Sequence, residues 1–226
     1  MAKFAKKIHE INEILLIKKF ISLFRSKLKK NKKKRFSFVL TGGESPIKLY
    51  KYLAKDKKIN WNKIDFFIGD ERFVKKNSKH SNIGMCKKYF LNKIKISKKQ
   101  IYDISTEKIS IKKSVKNYEN KIKKYFSGRN IKFDLILLGI GNDGHIASLF
   151  KNNIFDKENK NVKSVNRKDF SRISLTLKCI NRGKNIFLWA PGATKINIVK
   201  KILKDTKYKY PASFLKEKNN FLFHCY

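Results

Sequence analysis

The 226-residue chain is 41% apolar and 13% aromatic, long and greasy enough for one sizeable core, which excludes a disordered tail and a small disulfide scaffold. Its formal charge of +39 comes from 49 lysines against 7 arginines, spread through every segment beside abundant Ile, Asn, Phe and Tyr. These residues share A/T-rich codons, so the charge reads as compositional drift rather than as a specific nucleic-acid footprint.

Three cysteines, Cys86, Cys179 and Cys225, have no paired spacing and read as core thiols of a cytoplasmic protein. The richest early apolar run, "ILLIKKFISLF", is broken by Lys18 and Lys19, far short of the ~20 residues that a membrane span needs. Ile14, Ile17, Ile21, Phe24 and Leu28 instead fall at helical spacing and predict an amphipathic N-terminal helix over about residues 5–29, with His9 on it. The basic run "KLKKNKKKR" that follows reads as a solvated loop in preference to a nuclear address.

From there one theme repeats. "RFSFVLTGG", "IDFFIGDER", "FDLILLGIGNDGH" and "NIFLWAPG" are short, nearly continuous apolar runs that each end in glycine or polar residues. Helical segments separate them: "SPIKLYKYLA", with Ser45 as N-cap and Pro46 in the first turn, then "SNIGMCKKYFL", "KKSVKNYENKIKKYF" and "ATKINIVKKIL". Strands that are apolar on both faces and alternate with helices predict an α/β fold: one domain over residues 1–226, a mostly parallel sheet with helices on both faces. In such a sheet the strand C-termini share one edge, where the glycine loops and helix N-termini converge on an anion site.

The motifs at that edge are individually ambiguous. The Gly42–Gly43 pair of "TGGESP" suits a phosphate cradle or a bare turn, and Asp70, Glu71 and Arg72 of "GDER" suit a site or a surface salt bridge. Arg172, leading the short alternating strand "SRISLTL", and Lys195, opening the helix after "WAPGAT", gain weight beside Arg72, because three cations at one crevice suit a phosphate dianion. The literal G-x-G-x-x-G of Gly139–Gly144 follows the third strand and has no downstream carboxylate, which disfavours a dinucleotide site. Asp143-Gly144-His145 reads as a helix start, with the helix dipole and Asp143 pulling the imidazole in opposite directions, so that His145 can serve as a base; a capping Asp beside a structural His is the alternative. His80 and His224 lie apart in the sequence, and no cluster has metal-ligand spacing, so neither a metal nor another cofactor is expected.

In this order, "GGESP", "GDERFV", "SNIGM", "GIGNDGHIASLF", "RISLTL" and "GATK" resemble the 6-phosphogluconolactonase family over about residues 35–215. Phe150 stands where the related deaminase motif has an acid, although Ile146 is the deaminase-like choice; Lys75 replaces a family proline, and His224 stands near a usual Asp. The resemblance implies a sugar-phosphate isomerase-like, modified Rossmann-type fold and hydrolysis of a sugar-phosphate lactone, a small-molecule partner. On that reading His145 takes a proton from water and Asp143 orients it. Asp70 contacts sugar hydroxyls, while Gly42, Gly43, Arg172 and Lys195 hold the phosphate with Arg72 adding charge. Backbone N–H groups around Gly141–Gly144 would receive the oxyanion. A glucosamine-6-phosphate deaminase or other sugar-phosphate isomerase is the first alternative, and a non-catalytic nucleic-acid-binding protein the second.

Overall fold

The computed structural model describes residues 4–128, 130–155 and 159–225. The four apolar runs form the middle of the molecule: β2 (Phe36–Leu40), β3 (Ile64–Ile68), β6 (Leu135–Gly139) and β9 (Ile186–Ala190). Three further strands extend them: β1 (Lys6–Glu10) and β10 (Asn220–Cys225) at one side, and β5 (Ile101–Tyr102) at the other. The order is β1-β10-β9-β6-β2-β3-β5, and every neighbouring pair is parallel.

Adjacent residues of β3 show why the central strands read as continuous apolar runs. Phe66 packs on Phe38, Trp61 and Phe90, whereas Phe67 packs on Tyr102, Tyr125 and Phe133. Successive side chains leave a strand on opposite faces, so both faces are covered. Helix α1 (Glu13–Lys29), α2 (Ile47–Ala54) and α3 (Asn82–Tyr89) lie on the Phe66 side, and α4 (Ile111–Tyr125) on the Phe67 side.

A second sheet was not expected as a unit. Immediately beyond β3 the chain forms β4 (Asp70–Arg72), which pairs antiparallel with β8 (Arg172–Leu175); β8 pairs with β7 (Val162–Val165). Two short helices complete the chain: α5 (Leu177–Asn181) after β8, and α6 (Ile196–Leu203) after β9.

Three local expectations are corrected. Residues 6–10, expected within the first helix, are β1, so His9 is on a strand beside His224 of β10. Only Ile8 of that strand is buried, and its register partner lies far along the chain, where local periodicity cannot see it. The helix starts after Asn12, whose side chain accepts from Leu15 N; its buried face is Leu16, Ile17, Phe20 and Phe24, and Ile14 is 41% exposed. Helix α2 is capped at Pro46 rather than Ser45, without a side-chain cap.

The third correction concerns the glycine-rich stretch after β6, where no helix forms. Gly144 (φ 80°) and Ala147 (φ 49°) are left-handed, and Ile146 and Leu149 close a bridge. Asp143, read as the cap of a helix, instead accepts from His145 N within a tight turn, and Ile146, Leu149 and Phe150 beyond it are buried.

Chain order places β2 beside β6, whereas the intervening chain runs outward through β3 and β5 before returning. The sheet therefore has its topological switch point between β2 and β6, where ligands of open parallel sheets bind. Gly139 N donates to Thr41 Oγ1 at 3.1 Å across that point.

Candidate active site

A cavity of about 910 Å³ opens at this switch point, walled by the loops after β2, β3, β6 and β9 and by the start of α3. It is lined by Gly42, Gly43, Asp70, Arg72, His145, Arg172 and Lys195, seven of the eight residues singled out from the sequence. The eighth, Asp143, is not part of the wall; it is bonded to His145 from outside.

The cationic end rests on the small sheet. Arg72 and Arg172 are direct cross-strand partners, and the Nε of each is buried without a hydrogen-bond partner. Arg72 Nη1 donates to the His80 carbonyl at 2.9 Å, and Arg172 Nη2 donates to Asp169. Like charges placed opposite in a ladder repel, and an anion between them relieves this. Lys195 comes from the turn after β9, where its Nζ donates to Asn142 Oδ1 at 2.9 Å beside the glycine-rich turn; partial burial lowers its pKa and the Asp143 carboxylate raises it.

The glycine pair is explained by close approach. A Cβ on Gly42 would lie 1.9 Å from Asn82 Oδ1, and Gly43 is left-handed at φ 81°. Asn82 Nδ2 donates to the Asp70 carbonyl at 2.7 Å, which fixes the amide's orientation because a carbonyl only accepts.

Glu71 turned away from the cavity. Its carboxylate accepts from the backbone of Arg72, Asn82 and Ile83 and from Ser81 Oγ, so it caps the N-terminus of α3 and ties that helix to β4. Burial pushes the Glu71 carboxyl up to about 7, and the backbone donors pull in the opposite direction.

At the other end, His145 Nδ1 lies 2.5 Å from Asp143 Oδ1. The imidazole chiefly, by hydrogen bond and charge, holds the Asp143 carboxyl down to about 2. A carboxylate only accepts, so Nδ1 carries the proton and Nε2 keeps its lone pair in the neutral ring. The imidazole folds over Gly141, where a Cβ would lie 2.0 Å from Nδ1. Gly141 N donates to the His145 carbonyl, Gly144 N to the Gly141 carbonyl and His145 N to Asp143, so these amides are engaged within the turn. Of the amides expected to meet an oxyanion, those of Gly141 and Gly144 are therefore already occupied.

Asp70 couples the two ends. Buried at 6% exposure, it accepts from Ser148 Oγ at 2.6 Å, and Ser148 N donates to Ser174 Oγ. The turn carrying His145 is thus pinned to β4 and β8. Sequence reasoning missed Asn82 and Ser148; their signal lay only in the polar residues of "SNIGM" and "GHIAS", inside otherwise apolar surroundings. Among the described residues, no group of three His, Cys, Asp or Glu side chains could hold a metal ion, and no helix is long and apolar enough to cross a membrane.

A family model described as glucosamine-6-phosphate isomerases/6-phosphogluconolactonase matches residues 13–223. The chain belongs to this family. It is 32% identical to the 6-phosphogluconolactonase of Thermotoga maritima over 202 residues, covering 88% of each chain. To that of Synechocystis sp. it is 31% identical, covering 91% of this chain and 88% of the relative. The crystal structure of the Thermotoga maritima 6-phosphogluconolactonase superposes with a TM-score of 0.84 at 29% identity, covering 97% of this chain and 99% of that one. The expected α/β architecture is therefore the family's own.

Proposed function

We propose that this chain is a cytoplasmic enzyme that hydrolyses 6-phospho-D-glucono-1,5-lactone to 6-phospho-D-gluconate, the second step of the oxidative pentose phosphate pathway. The observation that carries the reading is a single cavity with an acid-oriented imidazole at one end and two facing arginines at the other. The 6-phosphogluconolactonase names of its relatives supply the substrate.

The phosphate dianion sits against the Gly42–Gly43 loop, Arg172 and Lys195, with Arg72 adding charge. That anchor brings the lactone carbonyl to His145. Nε2 takes a proton from water as its oxygen attacks the carbonyl carbon, and the imidazolium, stabilised by ionised Asp143, returns the proton to the ring oxygen as the ester bond breaks. Charge developing on the carbonyl oxygen is met by the cations of the cavity, since the Gly141 and Gly144 amides are engaged. Asp70 keeps one oxygen on Ser148 and offers the other to sugar hydroxyls.

The test is lactone hydrolysis above the spontaneous background, with and without His145. His145→Ala should lower kcat by roughly 10²–10⁴. Equal turnover by the variant would remove the base, and release of ammonia from an amino-sugar phosphate would favour a deaminase instead.

A further inference from the structure

The hydrogen bond from Nδ1 to Asp143 fixes one edge of the His145 ring but not its plane, and the Asp143 side chain is itself 59% exposed. Something else must hold the ring. Phe150, only 5% exposed, has its ring centroid 4.5 Å from that of His145, tilted by 36°. Over the same phenyl ring lies the Arg167 guanidinium, 4.0 Å from the centroid, with that of Arg172 at 5.6 Å. Arg167 Nε donates to Asp169 Oδ1 at 3.3 Å, and Asp169 also pairs with Arg172. The backbone of Phe150 is fixed as well, its N–H donating to Asn153 Oδ1 at 2.8 Å.

Arg167 and Asp169 belong to the tip joining β7 to β8, residues 166–171. The same tip reaches the opposite wall, where the Phe170 ring packs 4.9 Å from that of His80, whose carbonyl receives Arg72. Arg167 does not line the cavity.

We infer that Phe150, backed by Arg167 of the β7–β8 tip, is a positioning residue that sets the plane of the His145 imidazole. Gly141 lies under the ring, Asp143 holds Nδ1, and Phe150 supplies the remaining side. Arg167 acts through Phe150: a guanidinium over a phenyl face is attracted by the ring quadrupole and restrains the phenyl ring. This assignment rests on the lactonase reading for its kinetic consequences but not for its geometry.

The test compares wild type with Phe150→Leu, Phe150→Tyr and Arg167→Ala, by lactone kinetics and by the downfield proton resonance of His145 Nδ1–H. Phe150→Leu should lower kcat by roughly 10–100-fold with KM within about twofold, since a small misplacement of a catalytic group is costly. Its Nδ1 proton signal should broaden or vanish. Phe150→Tyr, which keeps the ring, should restore both readouts. Arg167→Ala changes a side chain that is 40% exposed and spares the core; it should lower kcat by about threefold without raising KM. The inference is overturned by a Phe150→Leu protein with wild-type kcat or a wild-type proton signal. A rise in KM alone for Arg167→Ala would overturn it too, marking that arginine as a substrate contact. Wild type without lactone turnover would sink the functional reading, while the proton signal would still report on Phe150.

Discussion

At one end of the cavity Arg172 is 7% exposed and set in an antiparallel ladder opposite Arg72, with Glu71 beneath it fastening the next helix. At the other end His145 rides on a turn without helix or strand, its orienting acid 59% exposed. The first end is built on paired strands but unfinished in its hydrogen bonds: two arginines stand opposite in the ladder, and each has a buried Nε without a partner. The second has its imidazole already held by an acid but depends on tight backbone geometry, with left-handed Gly144 and Ala147 and no room for a side chain at Gly141. The contrast assigns binding to the end whose guanidiniums keep unpartnered N–H groups, and proton transfer to the end where an acid already orients the imidazole.

Four perturbations test that division, from the strongest to the weakest. Removing the imidazole should cost the 10²–10⁴ in kcat given above and leave KM nearly unchanged; a loss confined to KM would merge the two ends. Arg172→Ala should do the reverse, raising KM by about 10–100-fold, the scale of one charge-assisted hydrogen bond to an anion. Inorganic phosphate should correspondingly raise the Tm of wild type more than that of this variant. Glu71→Ala strands three buried backbone N–H groups and should lower stability by roughly 3 kcal/mol in denaturant unfolding, whereas Glu71→Gln, which keeps one acceptor oxygen, should lose less. The smallest effect belongs to Asp143. Its native carboxyl is held at about 2 against an ordinary 3.8, so the native state binds that proton more weakly than the unfolded chain. Its contribution is present above the ordinary value and lost as pH falls toward 2. The Tm gap between wild type and Asp143→Asn should therefore shrink on acidification through that window, and a gap that widens there would reverse the sign of the pairing.

The same contrast decides how much was legible in the sequence. Strands β2, β3, β6 and β9 were readable because burial on both faces demands an unbroken apolar run, and the glycine loops after them located the shared edge. The cations were expected at one crevice, but the antiparallel pairing of Arg72 with Arg172 was not legible, because it joins residues a hundred positions apart through strands of three and four residues. Strand β1 escaped for a related reason, since an edge strand with one buried residue has no pattern of its own. The turn at His145 was misread as a helix start because an Asp that accepts from an amide two residues on looks the same in sequence whether it caps a helix or closes a turn. Two of the amides expected to meet an oxyanion, Gly141 and Gly144, are used to close that turn, and Gly141 leaves the space that the imidazole fills.

The central claim is that one cavity clamps a phosphate and presents its lactone to His145. The direct measurement is the ratio of kcat/KM for the phosphorylated lactone to that for the same lactone without phosphate, in wild type and in Arg172→Ala. A ratio well above one in wild type that collapses in the variant, with hydrolysis of the unphosphorylated lactone unchanged, is the predicted result. Equal hydrolysis of both lactones by wild type would contradict it.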